Sequence, residues 1–241
     1  MRQAGVFSVE SAGLINCLLF MTFSAPPLPQ PSASLFELLE RHARAQPEVV
    51  ACASRFRLAT YRKLWSRIER ATARLQGEWG VGPGDVLAYC GQAHPDALVL
   101  YFALARCGGL LLPLERPAPR SALAGVAAAL PLKLALFDDD AEPPLAALPV
   151  YTLSTLISNR CPWQARVASP DAAAPSLLRV GQAGAVERLS LAQLQHVPAS
   201  GSHEVRHCLF DPDVFGPIVL PTLAAGATLT FVGNLRAAVT R

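Results

Sequence analysis

Lysine is almost missing from this chain of 241 residues: Lys63 and Lys133 are the only two, so nearly all of its positive charge is arginine. Charged residues make up only 16% and the net charge is +3, which is too little to form the basic stripe that a nucleic-acid partner requires. With 51% hydrophobic residues, the same scarcity excludes a disordered chain. No CxxC pair occurs among Cys17, Cys52, Cys90, Cys107, Cys161 and Cys208. They read as buried thiols of a reducing, cytoplasmic compartment and not as a disulfide framework. His203 and His207 stand four apart beside Cys208, but no second cluster completes a metal site. No apolar run reaches the ~20 residues of a membrane span, because Val6 to Phe23 is broken by Glu10 and Asn16. That stretch reads as a signal peptide or, as favoured here, as a leader before a true start at Met21; Ala25 to Ser32, APPLPQPS, is then a proline-rich lead-in.

What is present is organised around residues 83–117, which read without gaps as strand, helix, strand. Pro83-Gly84-Asp85 makes a turn and Val86 to Cys90 a buried strand. His94 caps a helix that has Pro95 at its first position and Asp96 in its first turn, where a carboxylate complements the helix dipole. Gly108 and Gly109 end that helix, and Gly109 to Leu114 is again apolar, as in a parallel sheet covered on both faces. Upstream, Ser34 with Glu37 forms a capping box for a helix closed by Pro47, and Val49 to Ala53 is a short strand. Thr60 then caps a helix with Tyr61, Leu64, Trp65, Ile68, Leu75 and Trp79 inward and Arg62, Arg67, Arg70 and Arg74 on the solvent face.

Downstream, Ser121 to Leu130 predicts an alanine-rich helix and Leu132 to Phe137 a strand, stopped by Asp138, Asp139 and Asp140, whose carboxylates are expected to meet water. The domain plan is a lead-in at 1–33, an α/β sub-domain at 34–138, a Pro/Ala-rich surface connection at 139–175 with one strand-like piece, Val150 to Leu153, and a second α/β part at 176–241. The fold class is α/β, a layered and mostly parallel sheet with flanking helices, whose ligands sit at the carboxyl ends of strands.

Residues 60–119 resemble the N-terminal region of the AMP-forming adenylate-forming ligases, the superfamily of acyl- and aryl-CoA synthetases and nonribosomal peptide synthetase adenylation domains. The resemblance rests on the Thr-Tyr-x-x-Leu helix entry at Thr60, the Gly-Val-x-x-Gly-Asp turn at Gly80 to Asp85, and the helix ending before an apolar strand; more diffusely it runs from Leu35 to Val232. It implies a phosphate loop at Leu177 to Ser190, LLRVGQAGAVERLS, where backbone N–H groups would wrap ATP with its magnesium. Gly181 and Gly184 keep the loop's glycine places. Its hydroxyl positions have become Arg179, Val180, Gln182 and Ala183, its proline Val186 and its lysine Glu187.

A carboxylate in place of that cation repels a triphosphate, and losing one member of a charged pair costs ~2–5 kcal/mol, so no cofactor is expected for the chain alone. The family's adenine, ribose and catalytic-lysine motifs would lie beyond Arg241, and no catalytic residue is assigned. Three functions fit. The chain is a truncated, degenerate ligase relative without stand-alone adenylation, a pseudoenzyme. Or it is the N-terminal half of a split ligase with a separate C-terminal partner, in which Asp211 after Phe210 holds a substrate amine; an aspartate opening a helix before Pro212 is the structural alternative. Or it is a binding or scaffold module holding an apolar ligand or a protein partner around Val214, Phe215, Gly216 and Ile218.

Overall fold

The computed structural model describes residues 34–55, 57–115, 130–138, 148–160, 174–180, 185–194, 201–205 and 209–232. Helix α1, Leu35–Ala45, starts on the expected capping box: Ser34 Oγ accepts from the Glu37 N–H at 3.3 Å, and Glu37 Oε2 from the Ser34 N–H at 2.8 Å. Strands β1, Val50–Ser54, and β2, Arg57–Thr60, form a hairpin, and Thr60 caps α2, Tyr61–Gly77. The βαβ unit follows as β3, Val86–Gly91, α3, Pro95–Arg106, and β4, Leu110–Glu115; Gly108 leaves the helix at φ +72°.

Next in the chain are β5, Leu132–Phe137, β6, Val150–Thr152, and α4, Leu153–Ile157. Then come β7, Pro175–Val180, β8, Val186–Ser190, α5, Leu191–Leu194, and β9, His203–Val205. The described part ends with α6, Pro212–Val214, a π turn over Phe215–Val219, α7, Leu220–Ala224, and β10, Leu229–Phe231. The predicted helix at Ser121 to Leu130 lies outside the described residues apart from Leu130 itself.

Two sheets result. The larger has the order β6-β5-β3-β4-β7-β8 and is parallel except at the β7–β8 hairpin; the smaller, β2-β1-β10-β9, is parallel except at β1–β2. This is the layered, mostly parallel α/β architecture with flanking helices that the sequence predicts. Helix α3 joins the layers. Its sequence, PDALVLYFALAR, is apolar on nearly all sides and all twelve residues are buried, so it needs cover all round. The smaller sheet supplies cover through β1, the larger through β4 and β7, and α2 lies alongside.

The arginines of α2 depart from expectation. Arg67 and Arg74 do not lie on a solvent face. Asp96, with its side chain only 3% exposed, accepts from Arg57 Nη1 at 2.6 Å and from Arg67 Nη1 at 3.0 Å. Arg74 is 3% exposed and reaches the carbonyls of Thr155, Leu156, Ser158 and Arg160 as well as Glu78. A guanidinium is a fork of five donors, so it can serve a helix end that offers several unsatisfied carbonyls at once. The anchored stretch also differs from the predicted surface connection: β6 pairs with β5 at the sheet edge, Leu153 and Leu156 are buried, and Tyr151 stacks on Trp79 with ring centroids 4.1 Å apart. Of the cysteines, Cys52, Cys90 and Cys107 are described and buried; burial, with the Asp96 charge adding to it for Cys52, pushes Cys52 and Cys107 up to about 12.

Replacing Asp96 by Ala strands two guanidiniums that are only partly in water, and is expected to cost about 2–4 kcal/mol in urea unfolding. Arg74→Lys should lose most of what Arg74→Met loses, because one ammonium cannot span the same carbonyls; full retention of the unfolding midpoint by the lysine variant would contradict this. A pH effect arises at Asp85. Burial alone would raise its carboxyl, but the Lys133 ammonium at 2.6 Å and the Gly82 N–H at 2.8 Å outweigh burial and hold it below its ordinary value. A group depressed in the folded state binds fewer protons there than when unfolded. Its contribution is therefore complete above the unfolded value of ~3.9 and is lost as pH falls further. Lys133→Met should flatten the acid-side loss of stability by less than about 1 kcal/mol, since both side chains are about a third exposed.

Candidate functional site

Three neighbouring parallel strands, β3, β4 and β7, end on the same side of the larger sheet, and a cleft of about 310 Å³ opens there. Parallel strands with crossover connections leave such a crevice at their carboxyl ends, which is where open α/β sheets bind ligands. Tyr89 and Gly91 of β3 and the following Gln92 and Ala93 form one wall. Pro113 and Leu114 of β4 lie beside them, and Leu178, Arg179 and Val180 of β7 form the opposite side; Leu209 to Pro212 closes the end.

The floor is aromatic. The Phe210 ring lies 6.1 Å from Tyr89, 6.1 Å from Tyr101 and 5.2 Å from Phe215, in tilted and edge-on arrangements that suit the ring quadrupoles. Tyr101 is fully buried, its hydroxyl 2.8 Å from Ser176 Oγ, and burial pushes that phenol above its ordinary value. Phe215 is held at the floor by an irregular helix. Pro217 and Pro221 lack the N–H that a regular helix would use, and the chain widens into the π turn at Phe215–Val219.

The residues predicted from sequence are distributed as follows. Asp211 lies on the cleft. It is also the N-cap of α6, its Oδ1 accepting from the Asp213 N–H at 3.0 Å, so the structural alternative for this aspartate is realised without removing it from the cleft. Phe215 stands behind Phe210 and does not line the cleft, and Gly216 packs directly under the Leu194 carbonyl, where no Cβ fits. Gly181 and Gly184 lie outside the described residues, but both flanks of their loop are defined: β7 enters it at Val180, β8 leaves it at Val186, and Glu187 is in register opposite Arg179. Glu187 and Arg179 are both exposed. Neither lysine is near. Lys133 sits at the amino end of β5, bound to Asp85 and the Gly80 carbonyl, and Lys63 is exposed in the first turn of α2.

Asp138 corrects a further expectation, because it is not simply hydrated: its Oδ1 lies 2.8 Å from the Tyr89 hydroxyl and its Oδ2 accepts from the Gln92 N–H at 2.8 Å. Asp139 and Asp140 lie outside the described residues, as do His207 and Cys208. Among the described residues the buried His203 Nε2 meets no hydrogen-bond partner, and no three of His, Cys, Asp and Glu gather to hold a metal. No described helix is long and apolar enough to cross a membrane. Tyr89 and Gln92 escape the sequence reading, and Asp138 is read there only as a hydrated acid; the available signal is their position at the carboxyl ends of two strands that the sequence does predict.

Comparison with known proteins places this geometry. The N-terminal subdomain of NpsA from Klebsiella oxytoca, solved in complex with 3-hydroxybenzoyl-AMSN, is similar with a TM-score of 0.67 and 21% identity, over 81% of this chain and 53% of that one. At that identity the likeness is one of fold. Novobiocin biosynthesis protein H from Streptomyces niveus is 32% identical over 99 residues, 41% of this chain and 16% of its own length. FR901469 synthetase from Dothideomycetidae sp. (strain 11243) is 22% identical over 183 residues, 73% of this chain and 1% of its own length. The chain thus spans a small part of each curated relative it matches. A family model described as AMP-binding enzyme covers residues 39–200, well over half of the chain. With the fold of an adenylate-forming N-terminal subdomain and a cleft at the carboxyl ends of its parallel strands, the chain belongs to the AMP-binding enzyme family.

Proposed function

We propose that this chain is a ligase-like acid-binding module that does not form an acyl-adenylate by itself. Its cleft takes a small acyl or aryl carboxylate, and Mg-ATP is not held in the manner of its family. The observation that carries this is Glu187, an exposed carboxylate on the outgoing strand of the loop where the family resemblance asks for a lysine, in register with Arg179. A like charge beside the phosphates repels them, and neither lysine of the chain stands near enough to compensate. The proline of the loop is Val186, so the backbone that should cradle phosphate also lacks its usual restraint.

The acid side has better support. The aromatic floor at Phe210 suits a flat or apolar acid, and Arg179 offers the cleft a planar guanidinium that matches a carboxylate. The NpsA subdomain of similar fold is solved in complex with 3-hydroxybenzoyl-AMSN. Buried thiols fit a reducing compartment, in line with a cytoplasmic location. A second reading has one specific support: Asp211 remains on the cleft, at the place where an amine-holding aspartate would serve a split ligase completed by a C-terminal partner. The neighbouring fold also occurs in larger proteins, as in an artificially fused adenylation and carrier-protein didomain of NpsA, similar at a TM-score of 0.70.

Two measurements decide. ATP–pyrophosphate exchange by the purified chain is expected to be absent, and calorimetry should show no magnesium-dependent uptake of ATP; tight uptake would overturn the proposal. Glu187→Lys reverses the charge and should strengthen ATP binding at least about tenfold. For the second reading, Asp211→Ala should abolish amino-acid-dependent exchange only in the presence of a co-expressed C-terminal half, and an unchanged rate there would remove Asp211 from any substrate role.

A further inference from the structure

We propose that Asp138 is a positioning residue of the cleft: acting through Tyr89 and the Gln92 backbone, it holds the turn that forms one wall for the bound ligand. The inference rests on the reading of the cleft as an acid site. Asp138 itself does not line the cleft, whereas Tyr89, Gly91, Gln92 and Ala93 all do. Its carboxylate lies just beyond β5 and that turn just beyond β3, and these strands are parallel neighbours with Cys90 opposite Phe137. Asp138 therefore ties two adjacent strand ends together at the rim. One oxygen meets the Tyr89 hydroxyl at 2.8 Å, and the other accepts from the Gln92 N–H at 2.8 Å. The Tyr89 hydroxyl also lies 2.8 Å from the Gln92 carbonyl, so both ends of the Gln92 peptide environment are fastened.

Gly91 shows how closely the parts fit. A Cβ there would fall inside van der Waals contact with Asp138 Oδ1 and Tyr89 Oη, so only glycine admits the tie. Tyr89 and Gly91 are buried, but Gln92 is exposed, so at that residue hydrogen bonds and not packing define where the wall stands. Positioning by hydrogen bonds rather than by burial is what lets one side chain matter without lining the cleft. The bonding pattern also names its own conservative variant. One hydroxyl hydrogen serves one acceptor; the side-chain amide of an Asp138→Asn variant would donate to the Tyr89 oxygen, free that hydrogen for the Gln92 carbonyl, and still accept from the Gln92 N–H.

The test uses the full chain as wild type, Asp138→Ala, Asp138→Asn and Tyr89→Phe, with 3-hydroxybenzoate as the calorimetric probe and hydrogen exchange at the Gln92 amide as a second readout, referenced to the Leu136 amide in β5. Asp138→Ala is expected to weaken probe binding about tenfold and to speed Gln92 exchange about tenfold while Leu136 is unchanged. Asp138→Asn should stay within about twofold of wild type on both, which a purely charge-based or global folding role would not allow. Tyr89→Phe removes the hydroxyl's contacts with Asp138 and the Gln92 carbonyl but leaves Asp138 to accept from the Gln92 N–H, so it should weaken probe binding severalfold with a smaller change in Gln92 exchange, and it carries the binding test if the alanine variant does not fold. Wild-type behaviour of Asp138→Ala on both readouts overturns the proposal, as does an asparagine variant as impaired as the alanine one. If wild type does not bind 3-hydroxybenzoate, the acid reading fails, and the positioning role is then upheld or overturned by Gln92 exchange alone.

Discussion

A single buried carboxylate, Asp96, ties the two sheets of this molecule to the helix between them. Arg57 comes from the hairpin of the smaller sheet, Arg67 from α2, and Asp96 from the first turn of α3, the helix that the larger sheet also covers. A helix with no polar face would slide between two apolar surfaces with little to fix its rotation, since burial is non-directional. Charge-assisted bonds at its amino end supply direction, and the helix dipole favours the acid there. The arrangement also reaches the cleft, because Gln92 and Ala93, which line its wall, are followed by His94, whose Nδ1 accepts from the Asp96 N–H at 3.1 Å.

The cleft combines a packed floor with hydrogen-bonded edges. Its aromatic floor is set by side chains from β3, α3, the turn at Phe210 and the π turn, all packed against one another. Its walls are strand ends where buried residues such as Tyr89 and Leu178 stand beside the exposed Gln92 and Arg179, restrained by hydrogen bonds to Asp138 and by the N-cap bond of Asp211. Such a division is common where a ligand has to enter and leave: tight packing preserves the shape of the base, and the edges stay accessible.

The cations are almost all arginines, and several are committed to the fold: Arg67 to Asp96 and Arg74 to the carbonyls after α4, with Lys133 serving the turn before β3. Positive charge has thus been spent on holding layers together. The β7–β8 hairpin carries Arg179, Arg188 and Glu187, with Arg179 in register opposite Glu187.

Much of the fold is legible in the residues alone. The capping box at Ser34, the Thr60 cap, Pro95 after His94, Gly108 and the apolar strands at Val86 and Leu110 are local signals, decided by backbone sterics and hydrogen bonding within a few residues, so α1, α2, β3, α3, β4 and β5 stand where the sequence places them. The family was legible for the same reason, since its markers are turns and helix ends. Tertiary structure alone decided which polar side chains are used and how. Arg74 looks like any solvent-facing arginine on a helical wheel until a distant helix end presents carbonyls to it, and Asp138 looks like one of three acids until the neighbouring strand brings Tyr89 and Gln92 alongside. Periodicity records how far a residue lies from the core side of its own element. It holds no record of the partner that another element, far along the chain, brings to meet it.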